Sequence, residues 1–274
     1  MSDENDSFFG NSKPLAKRKF VPKKISHKAK LARIEQKYLL VLVFLDGEVW
    51  STVKILSHVL KIGERQTQKT LADMVKAKLL KVEIVNANLR LYGITATGLA
   101  TINDDSDCKP FQIGKTPLST IDHHLYSQNI RILLQRHGAT NWTPGKSLYK
   151  LDYFTKIPDG AFTYTKTTGS NIGIEVIGIT EAELHVKSRK RMKSVINDHL
   201  SDLGPPGDAV ARLQMILYFS PYPAAIQKFI NEFVPTELQK HFLVMHLDKD
   251  IQPFFHNLLY FDDYEISKFL DRNS

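Results

Sequence analysis

A single cysteine in 274 residues leaves no internal disulfide and no cysteine-rich zinc site. Cys108 lies in the polar stretch DDSDCKP and is assigned no role. No apolar run approaches the roughly 20 residues that a membrane span requires. The opening MSDENDSFFGNSK has neither the apolar core nor the small-residue cleavage site of a secretory leader, so a cytoplasmic protein without a membrane partner is expected. Several enzyme signatures are also missing: the glycine-rich phosphate loop ending in Lys-Ser/Thr, G-x-S-x-G, H-E-x-x-H and the glycine-rich dinucleotide turn. P-loop NTPases, serine hydrolases of the elbow type, zincins and Rossmann dehydrogenases are thereby set aside.

One further absence is local. From Lys13 to Arg33 there is no acidic residue, while Lys13, Lys17, Arg18, Lys19, Lys23, Lys24, Lys28, Lys30 and Arg33 crowd together. With a net charge of +8 and a pI near 9.3, the chain is expected to meet a polyanion, and residues 1–30 read as a disordered basic arm lying on DNA phosphates.

Beyond the arm the chain takes on helical periodicity. Leu31, Ile34, Tyr38, Leu39, Val41 and Leu42 predict a first helix from Lys28 to Leu45, closed by Asp46-Gly47. Ser51 stands as N-cap before VKILSHVLKI, Gly63 interrupts, and a third helix is predicted from Arg65 to Leu80. KVEIV and LRLYGIT then form a hairpin about Asn86-Ala87-Asn88, and Thr95 can cap a short helix. Three helices followed by a hairpin are the order of a winged helix, predicted over 31–102. Its third helix would enter the major groove and offer Arg65, Gln66, Thr67, Gln68, Lys69 and Lys76 to bases and phosphates, with Arg90 on the wing. Leu71, Met74, Val75 and Leu79 form the buried stripe of that helix.

Residues 103–119 are rich in Asp, Ser, Gly and Pro and read as a linker. The remainder, 120–274, alternates in type. A helix from Asp122 to Arg136 precedes strand-like AFTYTK, NIGIEVIGI and AELHV, then a basic helix from Lys187 to Leu203. RLQMILYFS and HFLVMHL flank a helix from Ala224 to Phe233. This order predicts a three-layer α/β domain, giving an α/β (α+β overall) chain. Asp159, Glu181 and Glu183 gather near predicted strand ends, with Glu175 upstream, and Lys187-Ser188-Arg189-Lys190-Arg191 opens the basic helix. Hard oxygen donors in this arrangement suit Mg²⁺ or Mn²⁺ acting on a phosphodiester, and the basic run suits its backbone. The bland alternative for each carboxylate is a solvated strand edge. His123, His124 and Gln128 lie on the preceding helix, where they support the site or merely face solvent.

The runs HHLYSQNIRILL, PDGAF and ITEAELHVKSRKRM resemble the replication-relaxation group of plasmid proteins, and within it the mobilisation protein C relaxases. The resemblance spans roughly residues 35–250. It implies a winged helix followed by a degenerate restriction-endonuclease-like domain of the PD-(D/E)xK type. Asp159 then matches the first metal-binding aspartate, and Glu181 with Glu183 match an E-x-E form of the second element. Lys187, Arg189 and Arg191 match the basic run after it. Glu183 stands where the family's lysine is expected, and the spacing leaves either Glu181 or Glu175 as second ligand. No tyrosine is needed as nucleophile, so Tyr149, Tyr153 and Tyr218 are read as packing residues.

Three functions are compatible with these readings. The first is a relaxase that nicks a plasmid transfer origin with a divalent metal, Lys187 contacting the scissile phosphate, alongside an accessory protein and a coupling ATPase. The second is a non-catalytic replication or transcription regulator, or a relaxosome accessory protein, on a degenerate nuclease domain. The third is a restriction or transposition endonuclease.

Overall fold

A computed structural model describes residues 26–102, 108–150, 153–165, 175–203 and 213–247. The chain is a mixed α/β protein, with two sheets among the described residues. Among the described residues no helix is long and apolar enough to cross a membrane. Lys17, Arg18, Lys19, Lys23 and Lys24 of the basic arm lie outside the described residues.

The first half is built on α1 (His27–Glu48), capped where the Ser26 hydroxyl accepts the Ala29 N–H. Asp46-Gly47 does not end this helix, which runs on to Glu48. Val49 then turns the chain at φ 69°, a strained conformation for a β-branched residue. The apolar stripe of α1 divides in two: Val41, Leu42, Phe44 and Leu45 are buried, whereas Leu31, Ile34 and Leu39 are exposed. Next come β1 (Trp50–Ser51), α2 (Val53–Leu60), α3 (Glu64–Lys76), β2 (Leu80–Asn86), β3 (Leu89–Ile94) and α4 (Ala96–Ile102). Thr52, not Ser51, caps α2 by accepting the Ile55 N–H, because the Ser51 hydroxyl is engaged elsewhere. The sheet order is β1-β3-β2, antiparallel throughout. At the hairpin tip no asparagine is left-handed. Asn86 instead accepts the Asn88 N–H through its side-chain carbonyl at 2.9 Å. Thr95 does cap α4, accepting the Gly98 N–H at 3.0 Å.

The stretch read as a linker is pinned in its described part. Phe111 is 2% exposed and its N–H donates to the Ile94 carbonyl at 2.8 Å. Its ring occupies the space above Gly93, where an added Cβ would lie 2.0 Å from it, so only glycine fits there.

Among the described residues the second half has five strands in the order β4-β5-β6-β7-β8, with bounds β4 (Thr140–Pro144), β5 (Gly160–Thr165), β6 (Glu175–Ala182), β7 (Leu213–Ser220) and β8 (Phe242–His246). β4 to β6 are antiparallel, β6 to β8 parallel. AELHV is not a strand: β6 stops at Ala182, and Glu183 makes a last bond, its N–H to the Phe219 carbonyl. One face packs on α5 (Leu118–Arg136) through Tyr126, Ile130, Leu133 and Leu134. The other packs on α7 (Arg189–Asp202) and α8 (Pro223–Phe233) through Met192, Ile196, Ile226 and Ile230. The parallel strands require helical crossovers, and α7 and α8 supply them. A short α6 (Gly145–Leu148) follows β4, and a 3-10 turn (Thr236–His241) precedes β8.

Helix α5 belongs to both halves. Its opposite face, Ile121, Leu125 and Ile132, joins the core of the first sheet, and between the two stripes Gln128, Asn129 and Arg131 are also buried. Each aliphatic side chain so buried contributes about 1.5–3 kcal/mol. A polar lock runs along the same boundary. Ser51 donates to Gln128 Oε1 at 2.6 Å, Gln128 Nε2 donates to the Trp50 carbonyl at 2.7 Å, and Arg131 Nη1 reaches Glu48 Oε1 at 2.9 Å.

Candidate functional site

Two groups of residues stand out. The first is the outer face of α3. Thr70, Leu71 and Met74 turn inward, and Thr67 joins them with its hydroxyl donating to the Gly63 carbonyl, so Thr67 is not available for DNA. Arg65, Gln66, Gln68, Lys69 and Lys76 are exposed together, and Arg90 is exposed on the β2–β3 hairpin. No ion pair engages any of these cations among the described residues. A helix with one buried stripe and a row of long donors on the other side can enter a groove.

The second group sits where β5 begins beside the end of β6, the register placing Gly160 against Thr180. Asp159 precedes β5, and its Oδ2 accepts the Ala182 N–H at 2.7 Å, which ties the carboxylate to the end of β6. His123 of α5 reaches the same oxygen at 3.2 Å. That bond raises the imidazole above its ordinary pKa despite burial, and the charges of Glu181 and Glu183 add to the shift. Glu181 is 3% exposed and lies against Tyr218 of β7. Burial pushes its carboxyl up, but His199 Nε2 at 3.0 Å and the Lys156 ammonium outweigh this and hold it below the usual range. Glu183 is 4% exposed and bound by Lys187, yet burial keeps its carboxyl above the usual range. Burial raises the Tyr218 hydroxyl well above its ordinary value, and both glutamates reinforce the shift.

Asp159, Glu181, Glu183 and Lys187 are thus brought to one place, at the carboxyl ends of parallel strands where ligand sites of such sheets lie. Glu175 is not with them. It opens β6 six residues earlier, roughly 20 Å away along the strand, exposed beside Asn141. Nor do His124 and Gln128 face the cluster. Gln128 is the centre of the lock, and His124 Nε2 lies 3.1 Å from the Glu48 carbonyl oxygen, in burial that lowers its pKa. Of the basic run, Arg189 pairs with Glu232 and lies over Phe233, while Arg191 is exposed.

Lys156 and His199 escape a reading of the sequence. Lys156 sits in an aperiodic loop and His199 in a helix marked only by its basic residues, so neither carries a signal.

The donor set can be set against the needs of a divalent cation. Among the described residues no group of three His, Cys, Asp or Glu side chains is arranged to hold a metal. Each carboxylate instead has its own cation or imidazole: Asp159 with His123, Glu181 with Lys156 and His199, Glu183 with Lys187. As arranged, the cluster does not fit Mg²⁺ or Mn²⁺. No family model and no curated protein matches this chain.

Proposed function

We propose that this is a double-stranded-DNA-binding protein of plasmid replication or mobilisation, a regulator or relaxosome accessory factor in which a winged helix is carried on a restriction-endonuclease-like domain. The observation that carries the DNA-binding reading is the exposed row Arg65, Gln66, Gln68, Lys69 and Lys76 on α3, flanked by Arg90 of the hairpin. The helix, strand, helix, helix, hairpin order supports it, because in that arrangement the last helix reads the major groove and the hairpin meets adjacent backbone. The non-catalytic part rests on the compensated carboxylates, whose lysine and histidine partners replace the positive charge a metal would bring.

A second reading, the metal-dependent nickase of the transfer origin, is favoured by Lys156. Its ammonium stands beside Glu181 and supplies from another loop the cation that Glu183 displaced from the strand motif. In that reading Asp159, Glu181 and Glu183 would have to exchange their present partners for a divalent cation, and a coupling ATPase would be the expected partner.

The deciding assay combines binding and nicking on supercoiled DNA that carries the transfer region, with Mg²⁺ or Mn²⁺, using wild type, Asp159→Ala and Glu181→Ala. Binding without nicking is the expected result. Nicking by the wild type that vanishes in both variants while binding persists would overturn the non-catalytic reading.

A further inference from the structure

Between the two halves lies a cleft of about 940 Å³ whose lining includes Asp159 and His123 of the carboxylate site and which the duplex-binding face of α3 does not share. One wall is the described end of the pinned segment, with Lys109 and Lys115; another is the first turn of α5; the third is α6, with Lys146 and Tyr149. Trp50 forms part of the apolar floor, its ring 4.4 Å from that of His124. At the mouth stands Tyr149, 77% exposed, an aromatic face without a packing role. Lys109, Lys115 and Lys146 are exposed around it.

We propose that this cleft binds an unpaired nucleotide of a DNA strand, its base stacked on Tyr149 and its phosphates among Lys109, Lys115 and Lys146, with the strand led toward Asp159. The inference rests on the DNA-binding reading and names the form of DNA that the α/β domain receives. A planar aromatic ring left in solvent is a stacking platform for any base, and a rim of lysines tracks a backbone. The volume is in the range of sites for one small ligand, roughly 300–1,000 Å³, ample for an unstacked nucleotide. The α5 N-terminus has no acidic residue in its first turn and no side-chain cap, so the positive end of its dipole adds to the attraction for phosphate.

Fluorescence anisotropy on two probes of the same sequence, an intact duplex and a duplex with a short single-stranded gap, tests this. The wild type should prefer the gapped probe. Tyr149→Ala should weaken gapped-probe binding roughly 5- to 150-fold, the range for one stacked base, and leave intact-duplex binding unchanged. Tyr149→Trp should retain the preference, and Lys146→Ala should reduce it. Tyr149 is exposed, so its replacement does not threaten folding. Equal wild-type affinity for both probes, or parallel losses on both, would overturn the proposal while leaving duplex binding standing. Binding to the gapped probe alone would sustain it and remove the duplex reading; binding to neither would end both. Stabilisation by dTMP that Tyr149→Ala abolishes, without any gapped-probe preference, would reassign the cleft to a free nucleotide and overturn the proposal.

Discussion

Glu48 at the end of α1 and Arg131 in the middle of α5 meet at 2.9 Å, 83 residues apart in the chain, the first 1% and the second 10% exposed in their side chains. The guanidinium also lies 4.4 Å over the Phe44 ring and donates to the Phe44 carbonyl. Removing Arg131 leaves the buried Glu48 carboxylate with only the His124 ring at 3.8 Å and the charge of Lys146 to offset it, at a cost of up to about 3–5 kcal/mol. Arg131→Met should therefore lose that much stability in urea denaturation. Replacing both residues, Glu48→Gln with Arg131→Met, should lose less than Arg131→Met alone. A loss below ~1 kcal/mol for the single variant would mean that the pair does not join the halves.

Gly93→Ala places a Cβ where the Phe111 ring lies. Overpacking of this kind costs roughly 1–3 kcal/mol. In a double-mutant cycle with Phe111→Ala the two losses should not add, since both changes act on the same packing. Additive losses would show that Phe111 does not hold the segment after α4.

Gln68→Ala with Lys69→Ala should lower affinity for a cognate site more than for random DNA. Each good base pairing by a side chain supplies about 1–3 kcal/mol of discrimination. Lys76→Ala, acting on a phosphate, should weaken both DNAs alike and reduce the salt slope by about one. Competition binding at several salt concentrations separates the cases, and equal losses from the Gln68 and Lys69 changes would speak against base readout.

Deleting residues 1–24, ahead of the Ser26 cap of α1, should weaken binding to every duplex and flatten its salt dependence, by about 0.9 in slope for every phosphate the arm neutralises. An unchanged slope would exclude the arm from the interface.

His123 carries a raised pKa because it bonds Asp159. Its stabilising contribution is fully present below its ordinary value of about 6.5 and is lost as pH rises through the higher folded value. Glu181 behaves in the opposite sense: its lowered pKa stabilises above the usual carboxylate range and fails as pH falls through the folded value. Asp159→Asn should bring the His123 titration, followed by NMR, down toward its ordinary range and remove the stability that is lost as pH rises through the raised folded value. A His123 titration unmoved by that change would dissociate the two residues.

Periodicity makes the helices and most strands legible, because a buried stripe at Leu71 and Met74 or the apolar run LQMILYFS leaves a direct trace in the chain. The convergence of Asp159, Glu181 and Glu183 is also readable, since strand ends bring such residues together once β5 pairs with β6. Pairing across long separations leaves no such trace. Ser51 resembles an N-cap until Gln128, 77 residues on, takes its hydroxyl, and Thr52 then does the capping. Lys156 looks like an ordinary loop lysine until the fold sets it beside Glu181. Tyr149 and Tyr153, read as packing residues, are 77% and 74% exposed, because nothing local distinguishes a ring that finds a core from one that does not. Tyr218 does pack, fully buried on β7.

The double use of α5 sets an order of events at the ribosome. The first sheet and its helices leave the exit tunnel well before Ile121, Leu125 and Ile132, which complete their core. Until α5 has emerged, that surface lacks its cover, and once α5 docks there its other face, with Tyr126, Ile130, Leu133 and Leu134, is left waiting for strands not yet made. A nascent N-terminal half that folds as it emerges would then serve as the template for the second sheet, and a chain stalled once α5 had emerged would expose that apolar face.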